Sequence, residues 1–314
     1  MLQEIDQEEA LAHLNTLGDF LRWGETQLRK HDVFLGHGTD NYNDEALALV
    51  LHALHLSWQV NPRVYHAQLL PSEKKAIVAL FVERINKRIP VAYLTQEAWF
   101  CGMPFYIDER VLIPRSPLGQ VIEQRFAPWL VNPDAPLRVL DLCTGSGCIA
   151  IAMANALPHS TVDAIDISAD ALAVCEINVA QYGLEERVYP LLGDGLSVAQ
   201  ERYDLIVCNP PYVDANEMAN LPEEYIHEPE LALASGHDGL DFTRRLLVQS
   251  ADYLTENGIL IVEVGYSWPA VAELWPEVPF FWFEFEQGGE GAFMLTRQQL
   301  VEYSSAFTET LLGA

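Results

Sequence analysis

Basic residues are scarce in this 314-residue chain, which has 18 Lys and Arg against 45 Asp and Glu and a formal net charge of −27. A field of that sign repels phosphate backbones and attracts basic proteins. No stretch of the sequence is basic enough to indicate a nucleic-acid site. We therefore expect no direct nucleic-acid binding. The acidity itself fits either a basic protein partner or solubility alone.

Cysteine is also sparse, and its five residues form no C-x-x-C pair and are odd in number. That pattern argues against a disulfide framework. The histidines form no cluster with metal-ligand spacing, so we expect no metal ion. The cysteines inside predicted strands or helices are most simply small core residues: Cys143, Cys148, Cys175 and Cys208.

Long apolar runs are missing as well. Even residues 46–56 are broken by His52 and His55, so no segment has the length and polarity of a membrane span. The first residues are acidic and lack the basic-then-apolar layout of a signal peptide. We therefore expect a cytoplasmic protein with no membrane partner.

The length favours two domains, and the first 90 residues have helical patterning. Leucines from Leu11 to Leu21 recur at helical spacing, Asn43 is expected to cap a second helix, and Pro71 opens a third. Residues 1–90 are thus predicted to form a small helical domain. Residues 91–117 are predicted to be a linker, with a β-hairpin of residues 97–100 and 104–107 around Cys101-Gly102.

Residues 118–314 alternate between predicted strands and helices. This alternation indicates an α/β fold with a mostly parallel sheet and helices on both faces. The last two predicted strands are close enough along the chain to pair antiparallel. The predicted strands are residues 137–142, 161–166, 188–192, 203–208, 259–264, 280–285 and 292–296.

The first strand-to-helix turn has the sequence of a nucleoside-binding loop. It contains Gly145 and Gly147, which allow tight bending and close approach of a ligand, and Asp166 ends the next strand, where an acidic side chain binds ribose hydroxyls. The third glycine of the dinucleotide fingerprint and the lysine of a P-loop are both missing. The ligand therefore need not carry a pyrophosphate. Asp141 is placed to bind a cation. Asp194 is placed either to bind an adenine amino group or merely to form a turn. S-adenosylmethionine is a ligand that fits these positions.

The motif Asn209-Pro210-Pro211-Tyr212 directly follows the fourth of these strands. Two prolines cannot extend a sheet ladder, so the backbone must leave the sheet there, at the edge where α/β folds bind ligands. The Asn209 amide oxygen and the Pro210 carbonyl can each accept one N–H of a planar amino group, while the Tyr212 ring packs on its flat face. In isolation the motif is a polar turn, but here it joins three other motifs at one edge of one sheet.

These residues resemble those of the class I S-adenosylmethionine-dependent methyltransferases, and more narrowly those of the HemK-type protein-glutamine methyltransferases. The resemblance implies a Rossmann-like seven-stranded sheet with a reversed last hairpin, and a helical N-terminal domain that recognises the substrate. Further segments that look like the family are residues 89–94, 108–115, 228–229, 232–233 and 238–242.

Two branches of the family differ after Arg115. The release-factor branch continues with proline, an acidic residue, Thr and Glu, whereas this chain has Ser116-Pro117-Leu118-Gly119-Gln120. That segment and residues 288–297, which begin with a glycine-rich stretch, are similar to the branch that methylates a glutamine of large-subunit ribosomal protein L three. A release factor is the alternative substrate. A nucleic-acid amino methyltransferase, which uses a similar motif, and a non-catalytic assembly factor that senses a nucleoside are further alternatives.

The resemblance also implies site residues. Asn209, Pro210 and Tyr212 are expected to be catalytic, with no metal and no covalent intermediate. The expected S-adenosylmethionine-binding residues are Asp141, Cys143, Thr144, Gly145, Ser146, Gly147, Asp166, Ile167, Asp194, Gly195 and Asn209. The expected substrate-binding residues are Asn209, Pro210, Pro211, Tyr212, Phe100, Arg115 and Glu228.

Acidic residues crowd the segment that follows the catalytic motif. They are expected to form either a solvated loop or a surface that attracts the basic, glutamine-bearing loop of a ribosomal protein. These residues are Asp214, Glu217, Glu223, Glu224, Glu228 and Glu230.

Overall fold

The computed structural model describes residues 1–286 and 288–312 and contains two compact units. One unit comprises Met1–Ala98 with Pro222–His227, and the other comprises Trp99–Leu221 with Glu228–Ala314. The first unit therefore extends past the predicted boundary at residue 90 and includes a short segment from much later in the chain. Residues 313 and 314, the end of the predicted catalytic domain, lie outside the described residues.

The first unit is helical, as the apolar spacing predicts. Its core contains Leu17, Phe20, Leu49, Ile77 and Phe81, all fully buried. The helices are α1 (Glu4–His13), α2 (Leu17–Lys30), α3 (Tyr42–Ala53), α4 (Pro71–Asn86) and α5 (Val91–Thr95), and a 3₁₀ turn covers Pro62–His66.

Two predictions about these helices are wrong. The leucine stripe does not belong to one helix, because Thr16 interrupts it: its hydroxyl accepts from Asp19 N–H at 3.2 Å and so begins α2. The cap of α3 is Asn41 rather than Asn43, since it is the Asn41 side chain that accepts from the Asp44 N–H at 2.8 Å.

The segment 222–227 belongs to the helical unit through buried charge. Glu224 is 2% exposed, and its Oε1 accepts from the Phe34 N–H at 3.0 Å, from Arg84 at 3.2 Å and from Arg88 at 3.4 Å. Arg84 also donates to Glu45 at 2.6 Å. The expectation that Glu224 lies in a solvated acidic loop is therefore wrong, although Glu223 beside it is exposed.

The second unit is built on a mostly parallel sheet, as predicted. In the described residues its seven strands lie in the order β5-β4-β3-β6-β7-β9-β8; β9 runs antiparallel to β7, and β8 antiparallel to β9. β8 is shorter than predicted and β7 begins earlier. The strands are β3 (Arg138–Leu142), β4 (Thr161–Asp166), β5 (Val188–Leu192), β6 (Tyr203–Cys208), β7 (Leu254–Glu263), β8 (Phe281–Trp282) and β9 (Ala292–Thr296). The predicted hairpin also forms, from β1 (Glu97–Phe100) and β2 (Met103–Tyr106).

Helices connect these strands. Ser168 caps α8 through its hydroxyl, which accepts from the Ala171 N–H at 3.1 Å. The helices are α6 (Leu118–Glu123), α7 (Cys148–Ala156), α8 (Ala169–Gln181), α9 (Ala215–Met218), α10 (Asp241–Tyr253), α11 (Trp268–Leu274), α12 (Arg297–Glu302) and α13 (Ser304–Leu312), with 3₁₀ turns at Gly195–Val198, Glu223–His227, Glu230–Ala232 and Gly265–Ser267. Among the residues that the structure describes, no helix is both long and apolar enough to cross a membrane.

The strand register brings the predicted motifs to one edge of the sheet. Leu142 pairs with Ile165 on one side and with Cys208 on the other, and Cys208 pairs with Val262. The residues that follow these four strands therefore emerge at the same level. The chain order reverses between β3 and β6, so this edge is the crevice where α/β sheets bind ligands.

Candidate active site

The loop between β3 and α7 turns sharply and opens toward the crevice. Cys143, Gly145 and Gly147 have positive φ angles of 59°, 54° and 79°. A Cβ on Gly147 would lie 2.6 Å from the Cys175 sulfur, so this position requires glycine. A Cβ on Gly145 would meet nothing within 4 Å, which leaves open space beside that part of the loop.

The buried side chain of Asp141 holds this loop in place through hydrogen bonds. It is fully buried, and its Oδ2 accepts from the Thr144 hydroxyl at 2.5 Å and from the Ala150 N–H at 3.1 Å. Burial raises the pKa of Asp141 to about 7, although these two hydrogen bonds oppose the shift. Its Oδ1 is buried and has no hydrogen-bond partner among the described residues. That oxygen is available to a donor on a bound ligand.

Asp166 connects the loop to the end of β4. Its Oδ2 accepts from the Gly145 N–H and its Oδ1 from the Ser168 N–H, both at 2.9 Å. Burial raises the pKa of the carboxyl against the effect of these bonds. Each oxygen keeps a second lone pair, so Asp166 can also accept from ligand hydroxyls. Ile167, which follows, is 53% exposed and offers an apolar surface to a flat ring.

Asp194 has a partner that the sequence did not reveal. Its carboxylate accepts from both terminal nitrogens of Arg245 in α10, at 3.0 and 3.1 Å, and the pair is about half exposed. The hydrogen bond to Arg245 lowers the pKa of Asp194. Gly195, with φ of 56°, turns the chain directly afterwards. An adenine contact for Asp194 stays a prediction.

Asn209 and Tyr212 differ in how firmly they are held. Asn209 is half-buried directly beyond β6, and its side-chain amide makes no hydrogen bond to any other described residue. Tyr212, by contrast, donates its hydroxyl to Glu263 at 3.0 Å, and its carbonyl accepts from Ser267 at 3.0 Å. The motif therefore contains a half-buried amide without a hydrogen-bond partner among the described residues, and a fixed aromatic ring.

Sequence reasoning missed Glu263, Ser116 and Ser267. Glu263 is 3% exposed at the carboxyl end of β7, and the Ser116 hydroxyl donates to its second oxygen at 2.5 Å. The available signal was an acidic residue directly after the apolar residues 259–262, at the same level of the sheet edge as Asp166 and Asn209.

Three residues predicted to bind substrate, Phe100, Arg115 and Glu228, lie mainly inside the second unit. Arg115 donates to both oxygens of Glu228, at 2.6 and 2.8 Å, and the Ile113 N–H donates to Glu228 at 2.9 Å. Phe100 is 6% exposed and lies beside Gly119. Glu228 and Phe100 thus support neighbouring segments here, and a direct contact of either with substrate stays a prediction.

No group of three or more His, Cys, Asp or Glu side chains is arranged to hold a metal ion within the described part of the chain. The chemistry that the crevice offers comes from carboxylates at strand ends, an open glycine turn, a half-buried amide and an aromatic ring.

Similarity to known proteins points to methyltransferases. Residues 127–239 match the family described as the methyltransferase small domain. The hMettl16 catalytic domain shares the fold, with a TM-score of 0.50 and 17% identity over 76% of this chain and 87% of that one. At that identity the likeness concerns the fold alone.

Two curated relatives are much closer in sequence and carry one name, ribosomal protein uL3 glutamine methyltransferase. The relative from Francisella tularensis is 42% identical and covers 98% of each chain. The relative from Neisseria gonorrhoeae is 45% identical and covers 93% of this chain and 98% of its own. Because such identity extends over nearly the full length, the chain belongs to the family of ribosomal protein uL3 glutamine methyltransferases.

Proposed function

We propose that this enzyme transfers a methyl group from S-adenosylmethionine to the side-chain amide nitrogen of a glutamine in ribosomal protein uL3. The substrate follows from the names of the two relatives. The observation that carries the proposal is the half-buried Asn209 amide, which has no protein partner among the described residues and stands next to the fixed ring of Tyr212. A planar primary amide is the group that this pair suits.

The cofactor assignment rests on the crevice beside the glycine turn. The partnerless Oδ1 of Asp141 suits the ammonium of an amino-acid tail, and the remaining lone pairs of Asp166 suit ribose hydroxyls. The open space at Gly145 and the exposed Ile167 support a nucleoside at this position. When bound, S-adenosylmethionine supplies a methyl group carried on a positively charged sulfur.

The protein's own contribution is orientation. A glutamine nitrogen is a poor nucleophile because its lone pair is delocalised into the carbonyl. The Asn209 side-chain oxygen and the Pro210 carbonyl accept its two N–H bonds, and Tyr212 packs on the amide face. Orientation of this kind lowers a barrier by up to roughly 7–11 kcal/mol in the best intramolecular models. The same acceptors stabilise positive charge that develops on nitrogen, before one of the held protons leaves to solvent.

Methylation of purified uL3 with isotopically labelled cofactor tests the proposal. Mass spectrometry of peptides should place one methyl group on one glutamine. Asn209→Ala should abolish turnover and leave cofactor affinity, measured by calorimetry, within a few-fold of the parent. Asn132→Ala is the matched control, because that asparagine is exposed and, among the described residues, its side chain accepts only from the Asp134 N–H.

Three results would contradict the proposal. Methylation of a release factor in preference to uL3 would assign the enzyme to the other branch. Transfer of the methyl group to a nucleic-acid base would show that the enzyme acts on another class of substrate. A parallel loss of cofactor binding in Asn209→Ala would show that this amide binds the cofactor rather than the substrate.

A further inference from the structure

Tyr212 is held at three different points of its structure. Its hydroxyl donates to Glu263 at 3.0 Å, and its carbonyl accepts from the Ser267 hydroxyl at 3.0 Å. Its ring lies against the backbone of Gly265, where a Cβ would be 2.5 Å from the ring. Gly265 has a φ of 46°, so both its backbone conformation and its missing side chain are needed there. The ring is therefore fixed in distance and in tilt.

The backbone that carries Glu263 and Gly265 is itself fixed. The N–H groups of Val264 and Gly265 donate to the Gly291 carbonyl, at 2.6 and 3.1 Å. A Cβ on Gly291 would lie 1.9 Å from the Gly265 carbonyl oxygen, so the two backbone segments meet this closely only because residue 291 is glycine. The end of β7 is thus a rigid support for the tyrosine.

A buried glutamate at position 263 carries a cost in folding free energy. It is 3% exposed, and a buried carboxylate is unfavourable unless hydrogen bonds satisfy it. Both of its oxygens accept here, one from Tyr212 and the other from Ser116. An apolar residue at the end of this apolar strand would avoid that cost, but it would leave the Tyr212 hydroxyl without this acceptor.

We propose that Glu263 is a positioning residue for methyl transfer, which holds the Tyr212 ring against the substrate amide without itself touching substrate. The inference rests on the proposed function, in which Tyr212 packs on that amide. A ring that is free to tilt would let the amide nitrogen leave the line of attack, and small misplacements of this kind lower the rate strongly. Ser116 completes the arrangement by holding the other oxygen of Glu263.

The ionisation of Glu263 provides an independent readout. Burial raises its pKa to about 6, while hydrogen bonds from Ser116 and Tyr212 and the charge of Arg115 oppose that shift. The Cys208 thiol also lies near enough to interact with it electrostatically. When the carboxyl binds a proton it must donate through one oxygen, so the two hydroxyls can no longer both donate to it. The hold on Tyr212 should therefore weaken below about pH 6.

The experiment compares kcat, the KM for the protein substrate and the cofactor Kd in Glu263→Gln, Tyr212→Phe and the double variant. We expect kcat to fall about tenfold to a hundredfold in Tyr212→Phe, the range for one hydrogen bond to a charged group, and by less in Glu263→Gln, whose amide oxygen still accepts from Tyr212, with cofactor Kd unchanged in both. The double variant should be no slower than the slower single variant, because the two side chains act through one contact. Glu256→Gln, an exposed glutamate at the start of the same strand, is the control.

A pH profile separates positioning from mere structural support. The parent kcat should decline below about pH 6, and Glu263→Gln should lack that decline. Ser116→Ala leaves both Glu263 and Tyr212 in place but removes a hydrogen bond that lowers the pKa of Glu263, so it should move the decline to higher pH. A decline that does not move in Ser116→Ala, or additive losses in the double variant, would overturn the inference.

If the parent enzyme fails to methylate uL3, the proposed function fails instead. The comparison of variants is then made on the substrate that the parent does methylate.

Discussion

The buried charge cluster of the helical unit gives a sharp test of how this chain uses its acidic residues. Glu224 and Glu45 carry two negative charges, and Arg84 and Arg88 carry two positive ones. Glu224→Gln removes one negative charge from this cluster. The cluster then has an excess of positive charge at Arg84, whose side chain is 1% exposed. Loss of one partner from a buried pair costs about 3–5 kcal/mol. Because the Gln oxygen can still accept from the Phe34 N–H, we expect a loss near the lower end of that range.

The neighbouring glutamate is a matched control for this substitution. The Glu223 side chain is 79% exposed and lies 3.7 Å from Arg88, so Glu223→Gln should change the free energy of unfolding by at most about 1 kcal/mol. Urea unfolding measures the difference between the two variants. Hydrogen exchange locates it, since Glu224→Gln should speed exchange at Phe34, whose N–H donates to Glu224, and in residues 222–227.

A result in which both variants lose the same stability would refute this reasoning, because it depends on the difference in burial between adjacent glutamates. So would unchanged exchange throughout residues 222–227 in Glu224→Gln, since that segment would then not depend on the buried charge.

Three further predictions concern the other carboxylates. Asp166→Ala should weaken S-adenosylmethionine binding by about one to two decades in calorimetry, the value of a charge-assisted hydrogen bond, and unchanged affinity would contradict its ribose role. Because the pKa of Asp141 is raised to about 7, the folded state binds a proton at this carboxyl more readily than the unfolded state does. The free energy of unfolding should therefore decrease as pH rises from about 4 to 7. Asp141→Asn should remove that part of the pH dependence, as measured by urea unfolding at several pH values. Replacement of the exposed Glu223 and Glu230 by Gln should lower kcat/KM for uL3 at low ionic strength but not at high, and a rate indifferent to salt would leave these residues a solubility role only.

The elements that could be predicted from the sequence are those with strong local signals. The strands β4, β5, β6 and β9 have their predicted bounds because each is a short apolar run between turn residues. Ser168 caps α8, and a serine before an apolar periodic segment is a strong local signal for a helix start. The order of motifs along one sheet edge followed from the alternation of strand and helix.

Predictions failed where two local signals competed. Asn41 and Asn43 are both suitable caps, and the choice depends on which side-chain oxygen reaches the Asp44 N–H. The leucine stripe around Thr16 continues at helical spacing, but the reciprocal bonds of Thr16 and Asp19 stop one helix and begin another. Such outcomes depend on geometry within a few residues that periodicity does not resolve.

The candidate site was predictable at strand ends and unpredictable in its supports. Asp166 could be predicted because it ends a strand, and Asn209 because it directly follows one. Glu263 and Ser116 belong to the site through contacts between residues far apart in the chain, and the sequence gives no distance between them. The same holds for Arg245, which donates to Asp194 from α10.

Burial also decides what the acidity of the chain means for a partner. Glu228 is enclosed and paired with Arg115, Glu224 is enclosed and paired with Arg84, and neither presents a free charge to an approaching protein. Their charges are compensated within the fold and contribute little to a long-range field. Glu223 and Glu230, in contrast, face solvent in the same stretch of chain. An argument for a basic partner must therefore rest on the exposed carboxylates, and the segment after Tyr212 retains only part of the negative surface that its composition predicts.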